Sequence, residues 1–432
     1  MSDSILHPTA GKLPSPEPVL FTAALAVLVT ALWSLPWPGF AEDGAALALS
    51  RLLAGLLPPD ALPPDLSAAT LTAEALGPNG LVEPLFAVLL AVAAPAAAAK
   101  LLLTGCVVAL PLAMRYAVTA VYPDNGPLGW YALPFLFSAP LGLGYYDLLF
   151  SLPLLLVSLG YLLRHWRRLG DGGGAWPAAV LAGLGLLTGL AHPLSGVALA
   201  LMLACYAGWL LLYQDALPRR FKPAEPTVRD GTVPAGPAAA KLGLVLLPLA
   251  ALLAERVAGW WEAASAPGTP DAWTRLEMLI TGGALLPHAR WELLLTLPVA
   301  VLPFAGAAML AKRRWTWRKL LPRDGLLAGA AVVTLAGLVL PAALAGDAIP
   351  ADALAVPCLL IFPPLLVVFW LGIITSWKTL RRVIVAVSVM AAVGLLAVTL
   401  HHNTLMHGTM TDGGSARTGT PDLGVAGTAP RG

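Results

Sequence analysis

Apolar stretches of about twenty residues follow one another along most of the chain, and the polar positions fall between them. Such runs lie at 19–37, 82–97, 99–120, 128–143, 146–163, 174–192, 194–213, 241–257, 292–311, 325–345, 354–376 and 380–400. A helix of that length crosses a hydrocarbon core of about 30 Å. No segment alternates with a period of two, so a membrane β-barrel is excluded and helices are left as the way to satisfy the backbone in lipid. The pattern predicts an all-α, polytopic integral membrane protein with about 11 transmembrane helices. Pro111, Pro134, Pro140, Pro153, Pro248, Pro298, Pro363 and Pro364 fall inside runs and predict kinks. The first run is too long for the apolar part of a cleavable leader and reads as a retained helix.

The polar segments set the expected sidedness. "RHWRRLGD" (164–171), "PRRFKPAEPTVRDG" (218–231), "KRRWTWRKLLPRD" (312–324) and "KTLRR" (378–382), with Lys241, hold 17 of the 26 basic residues. They follow alternate runs, which assigns them to the cytoplasmic side. With residues 1–18 also cytoplasmic, an even number of crossings must precede residue 164, yet five runs do. The expected exception is 82–97, "VEPLFAVLLAVAAPAA", which is short and interrupted by Pro84 and Pro95. Residues 38–97 then form one external loop, whose stretch "AEDGAALALSRLLAGLL" (41–57) has the spacing of an amphipathic interfacial helix. The expected organisation is a membrane module over 19–213, a cytoplasmic loop over 214–240, and a C-terminal bundle over 241–400 with an external loop at 258–291. A disordered Gly/Thr-rich tail is expected over 401–432.

Composition adds little beyond the class. The 432 residues are 58% hydrophobic and 12% charged, with a formal net charge of +2, against about 25% charged residues in soluble domains. No basic excess points to nucleic acid. Cys106, Cys205 and Cys358 all lie inside apolar runs and read as small buried hydrophobes, not disulfide partners or metal ligands.

Charged residues close to hydrocarbon are costly, and the few present are the candidates for chemistry. Under the topology above, Asp43, Glu83, Lys100, Asp147 and His192 all fall at the external face, although they are scattered over 150 residues of chain. Carboxylates beside a cation suit two tasks: holding a divalent metal, or removing a proton from a hydroxyl. Lys100 suits a phosphate. Each residue also has a plainer reading. Asp43 and Asp147 suit helix N-termini, Glu83 precedes Pro84 at a helix start, Lys100 snorkels, and His192 precedes Pro193 at a turn. His401, His402 and His407 sit in the expected tail, and Trp260, Trp261, Trp273 and Trp291 read as an interfacial belt.

The order of these segments resembles the membrane-embedded glycosyltransferases of the GT-C type, such as the aminoarabinose and protein-mannosyl transferases and their bacterial relatives. The resemblance runs over residues 19–213. It rests on "FAEDGAALALSRLL" with Asp43, "VEPLFAVLL" with Glu83, "AAKLLLTGCVVALPLAMRY" with Lys100, and "GYYDLLFSLPLLLVSLGYLLR" with Asp147. The lysine that often follows the family's glutamate-proline pair is missing here. The resemblance implies transfer of a sugar from a polyprenyl-phosphate carrier to an acceptor outside the bacterial inner membrane, with lipid and lipid-linked sugar as partners and no nucleic acid. It implies Asp43 as general base, and Glu83 and Asp147 as catalytic or orienting carboxylates. Lys100, Arg256 and Arg290 would hold the phosphate, and Asp43 with Asp147 a divalent metal. A lipid or sugar transporter or flippase, or a non-catalytic subunit of a cell-envelope polysaccharide system, is the competing reading.

Overall fold

A computed structural model describes residues 16–34, 80–138, 146–170, 174–213, 235–263, 272–282, 292–317, 321–339, 360–374 and 377–412. Among them the regular structure is all helical, with no strand. Seven helices are long and apolar enough to cross a bilayer, which makes this a multi-pass α-helical membrane protein. In chain order the helices are α1 (Glu17–Ser34), α2 (Val82–Leu90), α3 (Pro95–Val118), α4 (Tyr146–Gly170), α5 (Ala175–Ala191), α6 (Pro193–Leu211), α7 (Ala235–Ala263), α8 (Ala272–Thr281), α9 (Leu293–Trp317), α10 (Gly325–Val339), α11 (Phe362–Ile374) and α12 (Lys378–Asp412).

Polar contacts near helix ends fix the relative directions. Glu17 at the start of α1 pairs with Arg115 at the end of α3 through two bonds, 2.7 and 2.9 Å. Lys100 near the start of α3 donates to the Trp33 carbonyl at the end of α1, 2.9 Å. The two helices are therefore antiparallel. Arg164, late in α4, donates to the Tyr116 carbonyl, 2.7 Å, so α4 runs parallel to α3. The chain must return between them, and it does so through Pro123–Phe137.

That return departs from the expected α-helix at 128–143. Pro123–Phe137 is a 3₁₀ segment of 15 residues. Pro123, Pro127 and Pro134 each lack an N–H, which denies the segment a continuous i→i−4 ladder. At a rise of about 2 Å per residue, fifteen residues extend about 30 Å. Runs this long are unusual because the hydrogen bonds are poorer. Tertiary contacts support this one: Asn125 donates to the Gly372 carbonyl, Trp130 to Glu17, and Tyr131 to the Val299 carbonyl. Every residue from Asn125 to Phe137 except Pro127 is buried, and close approach is part of the reason. A β-carbon on Gly129 would stand 3.1 Å from the Pro111 carbonyl oxygen of α3.

The short α2 extends about 14 Å at 1.5 Å per residue, which is too little to cross. Pro95 then opens α3 at its first position, where a missing N–H costs nothing. Pro363 and Pro364 likewise sit in the first turn of α11 and not at an internal kink. All thirteen residues of α11 are buried, as suits a helix apolar on every side. Helix α12 continues to Asp412, so the boundary expected at 400 falls within a helix.

The two expected membrane parts interlock. The 3₁₀ segment packs on α12, and α6 packs on both α7 and α10. Glycines set the closest approaches, as expected where helices associate by packing and not by hydrophobic exclusion. β-Carbons on Gly325 and Gly329 would meet Trp209 and Met202 of the antiparallel α6, and one on Gly160 would stand 2.9 Å from the Ala117 Cα.

The basic residues then collect at one end. Arg115, Arg164, Arg323 and Arg381 are tied into it by bonds to Glu17 and to the carbonyls of Tyr116, Ile373 and Asp124. Lys241 joins them beside Gly174. We refer to this as the basic end and to the other as the Asp147 end. Gly160→Val is expected to lower the melting temperature of the detergent-purified protein, by about 1–3 kcal/mol of overpacking. Gly183→Ala, where an added β-carbon meets nothing within 4 Å, is the control and should be neutral or slightly stabilising.

Candidate functional site at the Asp147 end

Lys100, Asp147 and His192 lie at the Asp147 end. Glu83 is in the first turn of α2. Helix α2 packs on both α3 and α4, so the helix of Glu83 lies beside those of Lys100 and Asp147. Asp147 is the second residue of α4 and is half-buried. It lies within electrostatic reach of the buried Cys106 of α3. Asp43 and Arg290 lie outside the described residues, as does the expected interfacial helix 41–57. Arg256 is on α7, and nothing is described of its side chain.

Lys100 is already engaged. Its ammonium donates to Trp33 O and stands 5.9 Å from the Trp33 ring centre. The Trp33 indole donates in turn to Thr104 Oγ1, 3.0 Å. The carbonyls of a final helical turn have no partner within their own helix, and a cation there also meets the negative end of the helix dipole. Lys100 thus caps α1 from a different helix, using one of its three N–H donors.

A pair of serines joins the helix of Asp147 to the helix that His192 opens. Ser151 is four residues after Asp147, on the same face of α4. Its hydroxyl bonds that of Ser195, three residues beyond His192, and both serines are fully buried. His192 closes α5 and opens α6: its N–H donates to Thr188 O, and its Nδ1 accepts the Leu194 N–H at 3.2 Å. Accepting at Nδ1 assigns the ring proton to Nε2. Burial in the turn between the two helices lowers the imidazole pKa to about 3, so the ring is neutral. The helix-turn reading of His192 thus has direct geometric support.

Sequence reasoning missed two charged residues here. Arg275 falls in what reads as an external loop and Glu292 at its border with the next apolar run, yet Arg275 is 4% exposed and Glu292 is fully buried. Arg275 donates to the Leu338 carbonyl at the end of α10, 3.4 Å. Gly282, with φ of 72°, ends α8 in the left-handed conformation that favours glycine, and a β-carbon there would meet Thr296. That turn folds α8 onto α9 and takes Arg275 and Glu292 out of water. The amphipathic spacing of α8 was the available signal.

The Asp147 end therefore holds carboxylates, an ammonium and a neutral imidazole protonated at Nε2. Beneath it, Leu32, Cys106, Phe137 and Leu149 line an apolar crevice of about 20 Å³, room for about one water. Among the described residues no three His, Cys, Asp or Glu side chains group closely enough to hold a metal. The expected metal pair has one member, Asp43, outside them. No family model, no curated protein and no solved structure matches this chain.

Protonating His192 converts its Nδ1 from acceptor to donor and removes the α6 cap. The folded-state pKa is lowered, so the unfolded chain binds the extra proton between about pH 6.5 and 3. Stability should therefore fall as pH falls through that window, by at most about 1.4 kcal/mol per pH unit from this group. His192→Asn retains a cap acceptor and should flatten that part of a melting-temperature profile against pH.

Proposed function

We propose that the chain is a membrane glycosyltransferase that moves a sugar from a polyprenyl-phosphate carrier to an acceptor at the Asp147 end. One observation supports the reading: Lys100, Asp147 and His192, distant in sequence, gather at the end opposite the basic residues, with the helix of Glu83 packed beside those of Lys100 and Asp147. By the bias of Lys and Arg toward the cytoplasm, that end faces outward from the bacterial inner membrane, with the N-terminus inside and eleven crossings in all. The 3₁₀ segment and the shorter α5, α10 and α11 supply the crossings beyond the seven long helices.

In this reading Asp43 takes the proton of the acceptor hydroxyl as its oxygen attacks the anomeric carbon. The bond from that carbon to the carrier phosphate breaks, and the phosphate leaves as an anion. Lys100 has two N–H donors beyond its bond to Trp33 O, and these with Arg256 and Arg290 neutralise it. Glu83 and Asp147 orient the acceptor, or share a divalent metal with Asp43. General-base help of this kind contributes about 10²–10⁴-fold.

Purified protein incubated with radiolabelled polyprenyl-phosphate sugars should transfer label to acceptor. Asp43→Asn should reduce the rate by about 10²-fold or more, and Asp147→Asn should also reduce it. Absence of transfer from every donor would favour the non-catalytic subunit. Carrier movement across vesicles without transfer would favour a flippase.

A further inference from the structure

A second opening lies at the basic end, away from the candidate residues of the Asp147 end. It is a cavity of about 570 Å³, lined by the end of α3 and the residues after it, the last third of α4, Tyr206 of α6, and the turn Pro322–Arg323. That volume is in the range of small-molecule sites. Arg164, His165 and Arg323 contribute to the lining, and among the described residues no carboxylate does. Two carboxylates of this end are engaged elsewhere, Glu17 with Arg115 and Asp324 with the Leu321 N–H at 2.8 Å, and Asp124 beside Pro123 is exposed.

These side chains are held in place. Arg164 Nη2 donates to Tyr116 O, 2.7 Å, and Thr119 Oγ1, 2.9 Å, with the guanidinium 4.3 Å from the Tyr116 ring centre. Its Nη1 and Nε make no bond to the described residues. Arg323, 7% exposed, is fixed by a 2.7 Å bond from Nη1 to Ile373 O and lies 5.9 Å from the Tyr122 ring centre. His165 stacks on Tyr161 with ring centres 4.0 Å apart, its Nδ1 3.1 Å from Tyr161 O. Binding therefore orders little that is not already ordered. Apart from Thr119, the remaining walls are apolar and aromatic, including Leu163, Trp166 and Tyr206.

We propose that this cavity binds a phosphate-bearing anion, with the phosphate on Arg164, His165 and Arg323 and an apolar portion against Trp166 and Tyr206. Guanidinium groups match phosphate oxygens in pairs, and basic pockets between membrane helices on the cytoplasmic side suit lipid phosphates. The same chemistry is offered by an anionic phospholipid headgroup and by a soluble phosphomonoester. The site does not depend on the sugar-transfer reading.

The test uses the full-length protein in nanodiscs of phosphatidylcholine with or without phosphatidylglycerol, read by native mass spectrometry, and melting temperature with glycerol phosphate or inorganic phosphate. Phosphatidylglycerol retained over phosphatidylcholine, and lost about tenfold or more in Arg164→Gln, supports a lipid source. Protection by glycerol phosphate or inorganic phosphate with no phosphatidylglycerol preference, again lost in Arg164→Gln, supports a soluble source. His165→Gln should weaken either and serves if Arg164→Gln does not fold, while Arg164→Lys should retain part of the binding. No preference for either anion, or unchanged binding in the folded Arg164→Gln or His165→Gln protein, would overturn the proposal.

Discussion

A helix that ends near lipid leaves its last carbonyls without partners, and hydrocarbon offers no water to take their place. Four helix ends in this protein meet that constraint in one way. Lys100 donates to Trp33 O of α1, Arg164 to Tyr116 O of α3, Arg275 to Leu338 O of α10, and Arg323 to Ile373 O of α11. Each cation comes from outside the helix it caps. Each bond therefore satisfies an acceptor, opposes a helix dipole and joins two elements at a defined end. The charge that must be kept out of hydrocarbon becomes the means of ordering the bundle.

The same accounting explains how a proline-rich segment is tolerated inside the bundle. Pro123–Phe137 cannot maintain an α-helical ladder, so its remaining backbone groups turn to tighter 3₁₀ bonds and its side chains to neighbours. Asn125 and Tyr131 reach carbonyls of α11 and α9, and Trp130 reaches Glu17. The segment conflicts with local preference and is supported by contacts far away in the chain. Helix α11 is its complement, buried all round and needing few polar partners.

Much of the fold was legible. Hydropathy alone marked the seven long helices, and the alternation of basic segments anticipated that Arg164, Lys241, Arg323 and Arg381 would share one end. The shortness of 82–97 and its prolines anticipated a helix too short to cross. The 3₁₀ geometry was not legible, because an apolar window reports burial and not the hydrogen-bond period. The candidate site was legible only as a grouping. Asp147, Lys100 and His192 share an end, but that Lys100 caps α1 and that His192 opens α6 depends on which carbonyl and which N–H lie within 3.2 Å. The two buried charges Arg275 and Glu292 were hidden because a left-handed turn at Gly282 folds their segment back onto α9.

Class, and the gathering of the basic segments at one end, then, belonged to the sequence, since transfer of apolar side chains and cations between water and lipid is nearly additive along the chain. What each charge is bonded to belonged to the tertiary structure, since a hydrogen bond needs two groups within about 3 Å, and those groups come from helices distant in sequence. The cavity that gathers Arg164, His165 and Arg323 is the clearest case, as no stretch of the chain carries it and only the packing of α3, α4 and α6 against the Pro322–Arg323 turn creates it.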